Sequence, residues 1–263
     1  MNPRAATRQS LLPLVFGLLF FAALTLLADV SAAWAQVGWP TPSAWSPVRT
    51  RNFNNIRDVT GDMSPPNADL SSRGWFKGLT IGDMNSVEWY SDGQTVFIRY
   101  LLSGNPLSFN NSLGTWTIDP RSSYVALMDT NNDNVSDFTI TVSKANAIRV
   151  YQGASTTPFR DIANGPITAS GSPPVYTSQS GMIRVTNLGF QNINPDATNP
   201  ENLHYLDVQI PISRLPGVTA TSFVRPYMGT SNNDNNINKD LMISGATSVN
   251  FNDVAGATLG YLS

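Results

Sequence analysis

The sequence predicts an all-β fold, a single antiparallel β-sandwich of jelly-roll or immunoglobulin-like type, on three observations. Short runs rich in Val, Ile, Phe, Tyr and Thr alternate with turn signals rich in Gly, Pro, Asn and Ser, and no 3.6-residue apolar period is sustained. Charged residues make up only 13% of the chain, against 19 glycines and 18 prolines, a composition of turns and not of long solvated helices. Cysteine is absent, so an exported domain of this kind depends on its core, or on a bound ion, where small secreted domains use disulfides.

Export is expected from the first 35 residues. Arg4 and Arg8 precede a continuous apolar stretch over 11–28, and Ala33 and Ala35 place small residues at −3 and −1 of a cleavage point. Residues 1–35 are therefore read as a signal helix, removed to leave no membrane span. The rival reading is a retained anchor, since the apolar stretch approaches the length of a spanning helix. Without a cysteine at that point, a lipid-anchored lipoprotein is excluded. The expected location is outside the cytoplasm, secreted, at the cell surface, or periplasmic. Cleavage would remove two of 16 basic and one of 18 acidic residues, leaving 14 and 17. A net charge near −3 offers no basic face to nucleic acid.

Residues 36–72 hold five prolines and no sustained period, and read as an extended segment lying along the domain, with Trp39 and Trp45 as its anchors. The sandwich domain is placed at 73–263. Strands are expected at 75–81 and 87–90, then at 94–102 after the turn Ser91-Asp92-Gly93, which makes a hairpin. Further strands are expected at 124–128, 138–142, 147–151, 182–188, 205–210, 222–228 and 246–251. Polar connections are read at 169–180 and 190–202, and a short helical turn at 211–215. No repeat at a solenoid or propeller period is present.

Between two of these strands lies MDTNNDNVSDF (128–138), with Asp129, Asn131, Asp133 and Asp137 at positions 1, 3, 5 and 9 of a loop. Calcium takes six to eight oxygens, and alternate residues of a curled loop point inward. Val135, at position 7, would add its backbone carbonyl. Asn134 stands at position 6, where a left-handed turn is needed and Asn tolerates it. Three carboxylates in one turn repel one another unless a cation neutralises them. Ca2+ is thus the expected ion, in a structural role.

A second alternating cluster, TSNNDNNINKD (230–240), has fewer carboxylates and an internal lysine. It reads as an Asn-rich surface loop whose amides at Asn232 and Asn236, with Asp234, suit sugar hydroxyls. Trp89 and Trp116 are candidate sugar-stacking rings, although alternation puts Trp89 and Tyr90 on opposite faces, so at least one belongs to the core. Catalytic residues are not assigned. His204 is the only histidine, without a Gly-x-Ser-x-Gly elbow, and there is no His/Cys zinc set and no phosphate-binding glycine loop. Glu88 and Glu201 are the only glutamates, and nothing pairs them with each other or with Asp83, Asp92 or Asp207.

Residues 129–137 resemble the D-x-[DN]-x-D-x-x-x-D calcium loops of dockerins, thrombospondin type 3 repeats and FG-GAP repeats, the last of which also join two strands. The resemblance covers nine residues and implies an ion role for Asp129, Asn131, Asp133, Val135 and Asp137. It implies nothing about partners. Residues 81–102 (IGDMNSVEWYSDGQTVFIRYLL) are similar to the early hairpin of carbohydrate-binding family 9 and DOMON-like sandwiches. The expected function is a secreted, calcium-stabilised, non-catalytic binding or adhesion module, with an extracellular polysaccharide or cell-surface component as partner. The alternatives are a structural subunit of a surface layer or fibre, and a carboxylate-dependent glycan hydrolase.

Overall fold

The structure, a computed structural model, describes residues 38–54, 87–143, 146–191, 201–238, 240–243 and 248–261. All but Gly38 belong to the compact unit Trp39–Ser263. The signal segment 1–35 and the strand expected at 75–81 lie outside the described residues.

In chain order the strands are β1 (Ser46–Pro47), β2 (Val87–Ser91), β3 (Thr95–Leu102), β4 (Leu107–Asn110), β5 (Thr115–Ile118), β6 (Ser123–Asp129), β7 (Phe138–Ser143), β8 (Ala147–Gln152), β9 (Arg160–Ala163), β10 (Ile167–Ser170), β11 (Val175–Ser178), β12 (Ile183–Gln191), β13 (Glu201–Pro211), β14 (Phe223–Ser231), β15 (Asp240–Leu241) and β16 (Ala257–Thr258). They form two antiparallel sheets. One has nine strands in the order β1-β2-β3-β13-β12-β11-β10-β5-β4, and the other has seven, β15-β14-β6-β7-β8-β9 with β16 on β14. Among the described residues the helical pieces are three-residue 3-10 turns, one of them Ile212–Arg214 inside the turn expected at 211–215. No helix among them is long and apolar enough to cross a membrane.

The expected hairpin is present. Asp92 Oδ1 accepts from the backbone of Gln94 and Thr95 at 2.9 and 2.7 Å, and Gly93 takes the positive φ of 81° that the turn needs. The strand expected at 205–210 lies within β13, and those expected at 182–188 and 222–228 overlap β12 and β14, which begin one residue later, each observed strand running longer. Two expectations are corrected. The polar stretch 169–180 is not a connection but contains the β10–β11 hairpin, and residues 248–250 form no strand, with Phe251–Asp253 a 3-10 turn. β4, β5, β9, β10 and β11 are absent from the expected strands because they are only four residues long and carry few buried apolar positions, such as Leu107, Ile118 and Ile167.

Both sheets bury residues in one apolar cluster. Ile98 and Tyr100 of β3 and Leu206 and Val208 of β13 join Tyr124, Ala126 and Met128 of β6 and Ile140 of β7, and the rings of Tyr100 and Tyr124 lie 5.8 Å apart. An antiparallel strand with one solvated face would alternate in burial, yet all eight residues of β3 are buried. Phe97 and Arg99 point away from the shared core, and residues 39–48 cover them. Trp39 and Trp45 meet the edge of Phe97 at 6.1 and 6.5 Å, and Trp45 lies over the Arg99 guanidinium at 3.9 Å.

Beneath this strap, four residues directly opposite one another on β2, β3, β13 and β12 form a ladder of alternating charge: Glu88, Arg99, Asp207 and Arg184. Asp207 is fully buried and is gripped by Arg99 through Nε and Nη2 at 2.7 and 3.1 Å, and by Arg184 Nε at 2.9 Å. Arg99 also lies 3.5 Å from Glu88, whose carboxyl burial pushes above its ordinary pKa against the pull of Arg99. Removing one member of a buried ion cluster strands the others without compensation, at about 3–5 kcal/mol. Asp207→Ala is therefore expected to lower the unfolding free energy by that amount in a urea titration; a loss under about 1 kcal/mol would mean that the two guanidinium groups are solvated.

Candidate functional site

The loop from Asp129 to Asp137 connects β6 to β7 and is closed by its own side chains. Asp129, fully buried, accepts from the backbone N–H of Asn131 (3.3 Å), Asn132 (2.7 Å) and Asn134 (3.1 Å), and from Arg225 Nη2 at 2.6 Å. Those four bonds use all the acceptor positions of a carboxylate. Asn132 and Asn134 supply the left-handed turns, with φ of 67° and 69°, as expected of Asn at the sharp bend.

Asp137 Oδ2 accepts from the N–H and hydroxyl of Thr130 at 2.7 and 2.6 Å, and Asp133 Oδ1 from the N–H of Val135 at 2.8 Å. At the centre, Asn131 Nδ2 donates to Asp133 Oδ2 at 3.1 Å and to Asp137 Oδ1 at 3.2 Å. The amide hydrogens there lie between the two carboxylates that a cation would bridge. Val135 is 62% exposed. Among the described residues no set of three or more His, Cys, Asp or Glu has metal-holding geometry. The five expected ligands thus share one loop, and Asp129 is distinguished from the rest by its commitment to Arg225. Asn131 and Asp137 also line an open depression of about 490 Å³ with Gln152 and Gly153.

Arg225 belongs to the hydrogen-bond network of this loop and is not found by sequence reading. Its signal is a lone arginine in the otherwise apolar strand FVRPYMG, which requires a partner, and the register supplies one, Arg225 opposite Asp129. The same signal stood in Arg99 within TVFIRYLL and Asp207 within YLDVQI.

The Asn-rich loop lies beside a second depression, of about 510 Å³, lined by Tyr151, Thr156 and residues 232–235 among others. Asp234 is fixed there. Its carboxylate accepts from Ser123 Oγ at 2.9 Å and pairs with Arg149, which also holds Asp161 at 3.2 Å, while Thr141 donates to the Asp234 carbonyl. Asn232 and Asn238 clasp each other, with Asn238 Nδ2 2.6 Å from Asn232 Oδ1. The side-chain amides of Asn233 and Asn235 have no hydrogen bond to the described residues. Asn236 does not line the depression; its amide oxygen accepts from Ser231 Oγ at 3.4 Å.

The two tryptophans do not join this site. Trp89 is 3% exposed and its ring is part of the core, which removes it as a sugar platform. Trp116 sits on β5 of the other sheet, half-buried against Phe109 and Tyr176 at centroid distances of 4.9 and 5.1 Å. Outside the 129–137 loop, the described carboxylates that share a partner do so through arginines: Glu88 and Asp207 through Arg99, Asp161 and Asp234 through Arg149. Comparison of the chain with protein-family models, with curated proteins and with solved structures returned no match.

His204 is 1% exposed, with Nδ1 3.0 Å from the Asn202 carbonyl, an acceptor only, so Nδ1 carries the proton. Burial lowers its pKa, opposed by that hydrogen bond. Between the lowered folded pKa and the unfolded value of about 6.5, the unfolded chain binds the extra proton, so stability rises with pH across that window. Acidification below about pH 6.5 is expected to lower the melting temperature, and His204→Gln to remove that part of the slope. Parallel pH profiles for variant and wild type would show that other groups carry it.

Proposed function

We propose that the chain is an exported β-sandwich that binds carbohydrate without chemical catalysis and is stabilised by calcium at residues 129–137. The observation that carries the reading is the depression beside the Asn-rich loop. Asn233 and Asn235 offer donors and acceptors together, Thr156 a hydroxyl, Asp234 a carboxylate held in place by Arg149, and Tyr151 the edge of an aromatic ring. This is the mixture that sugar hydroxyls require. The shared core of two antiparallel sheets supports the sandwich.

For the ion, Asn131 would turn its amide so that oxygen replaces nitrogen between Asp133 and Asp137, giving up the bond its Oδ1 accepts from the Asp133 N–H at 2.9 Å, with the Val135 carbonyl as a further ligand. Asp129 would keep its place as the cap of the turn, and its Oδ2 would join only if Arg225 withdrew. Extracellular calcium modules bind with Kd of about 10⁻⁴–10⁻³ M. At millimolar calcium that adds about 0.4–1.4 kcal/mol, or roughly 1–5 °C for a domain of this size.

Asp133 is exposed and makes no contact with Arg225, so Asp133→Ala separates the ion from the fold. It is expected to abolish a calcium-dependent rise in melting temperature while leaving the calcium-free value nearly unchanged; an equal rise in both proteins would place the ion elsewhere. For the ligand, polysaccharide pull-down and glycan arrays with calcium present test the class. Asn233→Ala with Asn235→Ala is expected to weaken binding about tenfold, the loss of two hydrogen bonds worth about 0.5–1.5 kcal/mol each. Absence of any glycan binding by the wild type would remove the carbohydrate reading.

A second reading, a structural subunit of a surface layer or fibre, is favoured by one feature: residues 39–48 lie on the nine-stranded sheet as a separately fastened strap.

A further inference from the structure

We propose that the face of the nine-stranded sheet beneath residues 39–48 is a peptide-binding seat, and that the partner it fits is the same segment of a second copy of this chain. The inference rests on the second reading above and names the surface through which copies would join.

The seat is built without the strap. Phe97 and Arg99 come from β3, Arg184 from β12, and Tyr205 and Asp207 from β13, all far along the chain from residue 48. Asp207 orients both guanidinium groups, and the Tyr205 ring supports Arg99 from one side at 4.1 Å. What the strap adds is planes and backbone. Trp45 closes the other side of Arg99 at 3.9 Å, so that the cation lies between two rings, and Trp39 covers Arg184 at 4.4 Å. Ser46 and Pro47 pair with Trp89 and Glu88 on the β2 edge, and the Val48 N–H reaches the Val87 carbonyl at 3.2 Å.

Among the described residues, no side chain of the strap forms a salt bridge with the sheet. Its one side-chain hydrogen bond within 39–48 is internal, between Thr41 and Ser43 at 3.3 Å. Recognition therefore rests on two indole faces over two cations, an apolar edge contact and a short strand addition. Any extended peptide carrying the same sequence reproduces all of these, whichever copy it comes from. Pro40, Pro42 and Pro47 fix φ at three positions, Pro42 at the start of the 3-10 turn Pro42–Ala44, and so lower the entropy lost on docking.

Residues 49–86, 38 positions, separate the strap from β2; the first of them are held by the Arg51 N–H on the Asp253 carbonyl and the Ala255 N–H on the Arg49 carbonyl, both at 2.8 Å, bonds that a strap passed to a neighbour would have to give up. The cis strap competes at an effective concentration in the millimolar range, which keeps isolated copies closed. A strap passed to a neighbour leaves its own seat free for another, the head-to-tail geometry of an open chain.

The test uses the full chain carrying Trp39→Ala and Trp45→Ala, with a fluorescent peptide of residues 38–50 as probe. The double variant is expected to bind the peptide at least tenfold more tightly than the wild type, whose seat is filled, and a peptide with both tryptophans replaced by alanine is expected not to bind. Equal or absent binding by a double variant that keeps its β spectrum overturns the proposal. Should the double variant not fold, a specific protease site inserted after Asp58 and cut in the wild-type background gives the second measurement. Labelled peptide is expected to replace the cut strap, and a cut chain that keeps its fold yet takes up no peptide overturns the seat. A failed seat with concentration-dependent mass in solution would leave assembly standing through another surface, whereas a working seat in a chain that stays monomeric at all concentrations would refute assembly and leave the peptide site.

Discussion

One fully buried carboxylate, Asp207, organises the nine-stranded sheet. A charge removed from water costs several kcal/mol unless it is paired and hydrogen-bonded. Asp207 meets that requirement with two arginines placed directly across from it on neighbouring strands. Satisfying the arginines creates the next demand. Arg99 is itself buried, and the side of its guanidinium not facing Tyr205 is covered by Trp45. The strap, the dry outer face of β3 and the short β1 at the sheet edge all follow from keeping that ladder out of water. The edge itself is closed in a familiar way, by a two-residue strand containing proline.

The other sheet repeats the solution. Asp129 faces Arg225 across β6 and β14, and Arg149 faces Asp161 across β8 and β9 while reaching Asp234. Asp129 with Arg225 and Asp161 with Arg149 are register neighbours and not chance surface encounters, while Asp234 joins Arg149 from its loop. Such pairs are weak evidence for stability, since apolar residues of equal volume can serve as well. Their stronger effect is on register, because a slip of one residue would carry each charge to the opposite face and leave it unpaired. In a chain with no disulfide, three register-locked charge clusters tie together segments about 12 to 120 residues apart.

Legibility in the sequence followed the strength of the apolar signal. TVFIRYLL, SYVALMD and FTITVS carry enough β-branched and aromatic side chains to be read as strands, and they are the fully buried ones. RDIA at the end of its sheet, and ITAS and VYTS inside theirs, bury one position or none and look like turns. Trp89 could be separated from Tyr90 by alternation alone, but which of them faced the core needed the second sheet. The acidic loop was visible through its spacing. What spacing could not show is that the loop meets its own demands through backbone N–H groups, and that the residue facing Asp129 lies 96 positions away.

That last fact changes how the loop's charge is counted. Asp129, Asp133 and Asp137 bring three negative charges into nine residues, and Arg225 cancels one of them at 2.6 Å inside the protein. Two remain, on Asp133 and Asp137, bridged only by the neutral amide of Asn131. A divalent ion in the proposed role would meet a charge equal and opposite to its own, with Asn131 already at the centre and its amide reversing at the cost of the bond it accepts from the Asp133 N–H. The loop's turn, held by Asp129 and Arg225, would exist before the ion arrived, so binding would pay little for ordering the backbone. The proposed ion's effect on stability would then be limited to the relief of two carboxylates at the surface, which would put its contribution at about 1 kcal/mol and not near the several that a loop folded by its metal would show.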